Sequence, residues 1–288
     1  MELSKVTARV KATALELAIL TGHLVLYPSG ITPERPASPD PDTPGPDAPD
    51  AGSPPGTTGP DDPPGADATI GASRRPVILV HGFVDNRSVF VVLRRALARH
   101  GRDRVESLNY SPLTCDLRTA AELLGRRVDA IRARTGQAEV DIVGHSLGGL
   151  VARYYVQRLG GDARVRTLVM LGTPHSGTTV APLADAHPLV RQMRPGSAVL
   201  RELAEPAPGC RTRFVSFWSD LDQVMAPVET ARLDHPDLLV HNVRVSGIGH
   251  LALPVHPTVA AGVLEALDAD GQVAPGTRDG NPGAASVA

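Results

Sequence analysis

The residue in this chain best placed to do chemistry is Ser146, in Gly144-His145-Ser146-Leu147-Gly148. An apolar run with strand character (Val140, Ile142, Val143) leads into it, and a helical pattern follows at once. G-x-S-x-G between a strand and a helix describes a serine on a sharp, strained turn with its hydroxyl exposed. Bulk two residues before or after would obstruct that turn, hence Gly144 and Gly148. A helix that starts behind the serine turns its N–H groups and positive dipole end toward it and favours negative charge there. Such a serine is suited to nucleophilic attack on an acyl carbonyl. A five-residue pattern can arise by chance in a Gly-rich chain, so the rest of the sequence must supply its partners.

A serine nucleophile needs a base, and ten histidines compete for the role. His250 follows an apolar strand-like segment within Gly247-Ile248-Gly249-His250, where small residues let a loop approach the serine. His241 begins that segment and stands at its wrong end; His256, at the start of the last helix, is the runner-up. The acid is expected just past the preceding strand, in Ser219-Asp220-Leu221-Asp222-Gln223-Val224. Asp222 is favoured because the chain after it returns to apolar sequence that would bury it, with Asp220 as competitor. The order Ser146, Asp222, His250 is one of the chain orders in which a Ser-His-Asp triad occurs. Two backbone donors for an oxyanion are expected at Leu147, directly after the serine, and at Phe83, in the His81-Gly82-Phe83 turn that closes the first strand. His81 and His145 read as structural, each beside a turn and able to hold backbone with its ring nitrogens.

Composition excludes several alternatives. The formal net charge is -2, from 29 basic and 31 acidic residues, so no basic excess points to nucleic acid. Cys115 and Cys210 are compatible with one disulfide or two free thiols, and neither lies in C-x-x-C, so no zinc or thioredoxin-like chemistry is indicated. Aromatic content is only 3%, which requires an aliphatic core.

The elements that must position these residues follow from periodicity. Residues 1–27 carry an apolar stripe at helical spacing, with Lys5, Arg9 and Lys11 ahead of the more apolar part. This favours an amphipathic helix on a membrane surface, or an export signal, over a cytosolic helix. The apolar part would reach roughly 24 Å as a helix, short of a roughly 30 Å hydrocarbon core. Residues 28–73 are rich in proline and aspartate and read as a disordered linker. Residues 74–270 then alternate strands (near 76–80, 104–110, 139–144, 165–171, 213–219 and 239–245) with helices (near 87–100, 116–136, 147–159 and 257–267). Asp116 is a plausible N-cap and Gly136 a stop. Between Thr178 and Gly209 prolines loosen the pattern around one short helix, where a small substrate-facing cap would sit. Residues 271–288 are polar and Gly/Pro-rich and are expected to be a disordered tail. The alternation predicts an α/β domain: a mostly parallel central sheet, helices on both faces, and ligands outside the carboxyl ends of the strands.

Four segments carry a family resemblance: Val80-His81-Gly82-Phe83, Val143-Gly144-His145-Ser146-Leu147-Gly148-Gly149, Gly172-Thr173-Pro174-His175-Ser176-Gly177 and Ser246-Gly247-Ile248-Gly249-His250-Leu251. The chain resembles the α/β-hydrolase superfamily and, within it, bacterial lipases of the small Bacillus type and their relatives. The resemblance covers about residues 76–267. It implies a carboxylic-ester hydrolase (lipase or esterase) with a serine nucleophile, an acyl-enzyme, a small-molecule or lipid ester substrate, and no cofactor or metal. The N-terminal segment and linker fall outside the family core, and the 178–209 excursion is longer than in the smallest lipases. Two other readings use the same residues: an acyltransferase that passes the acyl group to an alcohol, and a non-catalytic binding protein on this scaffold.

Overall fold

The computed structural model describes residues 74–83, 85–110, 116–179, 187–269 and 285–287. The expectations for residues 1–27 and 28–73 lie outside these, as does Cys115; Cys210 is half-buried and makes no disulfide among the described residues.

The strands, rich in β-branched and aliphatic residues, are β1 (Val77–Val80), β2 (Val105–Leu108), β3 (Val140–His145), β4 (Val165–Leu171), β5 (Arg213–Ser219) and β6 (Leu239–Val245), and among these six β1 alone is an unbroken aliphatic run. All pair in parallel, in the order β2-β1-β3-β4-β5-β6. The α-helices are α1 (Val91–Arg99), α2 (Leu117–Thr135), α3 (Leu147–Arg158), α4 (Pro188–Gln192), α5 (Ala198–Ala204) and α6 (Pro257–Asp268). Strands buried on both faces should read as continuous apolar runs, and β1, with all four residues buried, does. Alternate residues serve opposite faces. Ile78, Val80, Ile142 and Leu168 pack under α2 and α3. Val77, Leu79, Val143 and Val169 pack with α1 and α6.

Local sequence sets the helix ends. The Asp116 side chain accepts the N–H of Thr119 (2.8 Å), and Gly136 closes α2 in the left-handed region at φ 68°. From that cap, Leu117, Leu124, Val128 and Ile131 present one buried stripe to the sheet. At the other face α6 starts at His256, whose ring accepts the N–H of Thr258 (3.3 Å).

Within residues 271–288, expected to be a disordered tail, Ala285–Val287 forms a seventh strand, β7, parallel to β6 along Val243–Val245. Within the 178–209 segment where a small cap is expected, α4 and α5 bury Leu189, Val190, Val199, Leu200 and Leu203 in the same core as α2 and α3. Prolines broke the sequence periodicity there, but each short helix still carries an apolar face. Polar contacts fasten it further. Gln192 Oε1 accepts the N–H of Leu117 (3.0 Å), and Glu202 accepts from the Tyr154 hydroxyl (2.7 Å) and pairs with Arg118. Among the described residues no helix is long and apolar enough to cross a membrane.

The strand order reverses between β1 and β3, the two strands that flank the crevice where ligands bind in open parallel sheets. The loops after β1, β3, β5 and β6 all open at this end, and they carry the residues discussed next.

Candidate active site

Ser146 lies between β3 and α3 at φ 53°, ψ -121°, and is the positive-φ non-glycine residue among those described. A side-chain-bearing residue held there is strained, by an order of 1–3 kcal/mol, and persists because its surroundings overdetermine it. The constraints are visible. Its N–H donates to Leu171 O of β4 (2.9 Å), and its carbonyl accepts from Gly149 (3.0 Å). One turn on, a Cβ at Gly148 would overlap the carbonyl oxygens of Val80 and His81, so only glycine lets α3 start this close to β1.

The base and acid predicted for Ser146 meet each other. His250 Nδ1 is 2.8 Å from Asp222 Oδ2. Asp222 Oδ1 accepts the N–H groups of Val224 (2.9 Å) and Met225 (3.0 Å). Ser146, Asp222 and His250 are only 8%, 2% and 4% exposed. Burial pushes the Asp222 carboxyl up. The His250 ring opposite and the two backbone donors outweigh that, and the carboxyl sits below its ordinary range. With Nδ1 engaged by a carboxylate, His250 presents Nε2 as its basic nitrogen.

Gly172, from the Gly-Thr-Pro-His segment, lies against this pair. A Cβ there would stand 3.0 Å from Asp222 Oδ2 and 3.1 Å from His250 Nδ1, and its φ of 55° also suits glycine. The segment's histidine points elsewhere. His175 lies between Arg153 (3.3 Å) and the Ser216 hydroxyl (3.1 Å). Arg153 is itself buried and also donates to Leu203 O (2.9 Å), tying α3 to α5; burial, then repulsion from Arg158, draws it down to about 9.

The competing candidates have other work. Asp220 pairs with Arg244 (2.9 Å) and accepts the N–H of Gly247 (3.2 Å), so it anchors the loop that carries His250. Ser219 adds a second anchor, donating to Ile248 O. His256 caps α6, and His241 is exposed on β6, at the far end from His250.

At the expected oxyanion positions, Leu147 begins α3, so its N–H is among those that lack a partner within the helix. The 81–83 turn lies beside the serine: a Cβ on Gly82 would stand 3.3 Å from Ser146 Cβ. The Phe83 ring packs edge-on against His187, at the start of α4, with centroids 4.9 Å apart. His81 and His145 hold backbone as expected. His81 Nδ1 is 2.9 Å from Gly82 O, and His145 Nε2 is 3.2 Å from His250 O. The sequence reading passed over Asp85, 3.2 Å from His145 Nδ1; its one signal was a carboxylate close behind the His-Gly turn. Among the described residues no group of three or more His, Cys, Asp or Glu is arranged to hold a metal ion.

A parallel sheet in this order, with a serine on a strand-to-helix elbow and a His-Asp pair on later loops, is the α/β-hydrolase fold as lipases and esterases have it. Solved structures agree. The chain is similar to Aspergillus fumigatus lipase B, with TM-score 0.61 and 19% identity over 69% of this chain and 53% of that one. It is also similar to mature Bacillus licheniformis lipase BlEst2, with TM-score 0.56 and 15% identity over 72% and 96% of the two chains. At these identities the likeness is one of fold. By sequence, residues 57–215 match the family described as "Domain of unknown function (DUF7379)", and the chain belongs to that family. A curated relative from Pseudarthrobacter phenanthrenivorans, named triacylglycerol lipase, is 33% identical over 121 residues. That match takes in 39% of this chain and 37% of the relative's length, so the chain spans little more than a third of it.

Proposed function

We propose that this chain hydrolyses carboxylic esters through Ser146, His250 and Asp222. The observation that carries the reading is the 2.8 Å hydrogen bond between His250 and Asp222, two buried residues on loops beside the strained Ser146 elbow. In this mechanism His250 Nε2 takes the Ser146 proton as the hydroxyl oxygen attacks the acyl carbon. Asp222 holds the ring in the tautomer that leaves Nε2 basic and stabilises the charged ring that forms. The N–H groups of Leu147 and Phe83 receive the oxyanion, and the α3 dipole favours the same charge. The intermediate collapses, His250 protonates the leaving alcohol, and an acyl-serine remains. Water, deprotonated by His250, then releases the acid.

The name of the curated relative suggests acylglycerols as the ester class. The test is hydrolysis of p-nitrophenyl esters of increasing chain length and of an emulsified triglyceride, by wild type and Ser146→Ala. Wild type is expected to hydrolyse them, and a p-nitrophenyl phosphonate to label Ser146. Full activity in Ser146→Ala sinks the proposal. Product partition with an added alcohol distinguishes hydrolysis from acyl transfer.

A further inference from the structure

The residue just before the nucleophile has no part in the steps above. His145 is fully buried, and both its ring nitrogens face acceptors: Nδ1 the Asp85 carboxylate at 3.2 Å, Nε2 the carbonyl oxygen of His250 at 3.2 Å. The imidazole therefore spans the side chain of Asp85, itself buried, and the backbone of His250.

The bridge joins the end of one strand to the loops after two others. Asp85 follows β1, His145 ends β3, and His250 follows β6. Gly82 leaves room for it, since a Cβ there would stand 3.0 Å from Asp85 Oδ2 and 3.4 Å from His145 Nδ1. His250 is thus held twice, by its ring through Asp222 and by its backbone through His145.

We infer that the Asp85–His145 pair is a positioning device for the proposed hydrolysis, a buried bridge that fixes the height and orientation of the His250 loop over Ser146. This rests on the reading of Ser146, Asp222 and His250 as a triad.

The experiment measures kcat and KM of the full chain on a p-nitrophenyl ester for wild type, Asp85→Asn, His145→Gln and His145→Leu. Asp85→Asn and His145→Gln are expected to lose roughly 10- to 100-fold in kcat with KM little changed, the scale of a small misplacement of a catalytic group. His145→Gln, which keeps an amide donor toward His250 O, should outperform His145→Leu. Wild-type kcat in both Asp85→Asn and His145→Gln, or a His145→Leu as active as His145→Gln, overturns the assignment. A wild type that neither hydrolyses esters nor reacts with the phosphonate defeats the triad reading instead, so a failed positioning role is recognised against an active wild type.

Discussion

Replacing Asp222 with asparagine tests the acid directly. The substitution keeps size and leaves one oxygen to accept from Val224 and Met225, so the loop should hold its shape. What changes is the 2.8 Å contact with His250. An amide nitrogen facing Nδ1 makes that nitrogen an acceptor and moves the ring proton to Nε2, the atom that must take the Ser146 proton. The countercharge is lost as well. A 2.8 Å hydrogen bond puts the charge centres about 4 Å apart, and an effective dielectric near 20 then gives about 4 kcal/mol. That corresponds to about 10³-fold in rate. The wrong tautomer adds to this, and the same exchange in a Ser-His-Asp triad costs about 10⁴-fold in kcat. The assay is kcat on a short p-nitrophenyl ester, with thermal unfolding as the control for folding, and Asp220→Asn alongside. Asp222→Asn is expected to fall by 10³- to 10⁴-fold, and Asp220→Asn by only a few fold. A loss under about tenfold in Asp222→Asn, or a larger loss in Asp220→Asn, would refute the assignment of the acid.

Three further outcomes are expected. Asp141, buried on β3 beside Arg75 and Arg102, is pushed up from 3.8 to about 6 because burial outweighs both arginines. The folded state therefore holds a proton that the unfolded chain releases; stability from this group is greatest below pH 3.8 and declines by about 3 kcal/mol as pH rises to about 6. Urea unfolding at several pH values should show this slope, and Asp141→Asn should flatten it. Leu203→Ala, in α5, should cost about 2–5 kcal/mol in urea unfolding, since α5 is part of the core; a neutral result would mean that α5 is not packed there. Gly172→Ala should lower kcat by at least tenfold and stability by about 1–3 kcal/mol, because the methyl meets Asp222 and His250 at positive φ; wild-type kcat would show that the His-Asp pair tolerates the group.

What could be read from the sequence was whatever is local. Strand, glycine, serine, glycine and helix follow one another around Ser146, so the elbow is written in consecutive residues. The first strand announces itself as an unbroken aliphatic run, and the alternation of strands with helices dictates a parallel sheet whose carboxyl ends gather the loops. From that order alone His250 follows as the candidate base, since its competitors stand on the wrong side of a strand or at a helix start. Tertiary structure decided the contacts between loops. Asp220 and Asp222 differ by two positions in one short loop, and only the path of that loop turns one toward His250 and the other toward Arg244 and Gly247. Asp85 is 60 residues from His145 and its one sequence signal is its place close behind the His-Gly turn, yet the turn after β1 brings the two together. The 187–204 stretch looked loose because proline interrupts periodicity, but burial is settled by what a short apolar face meets, and there it meets the core around α2 and α3.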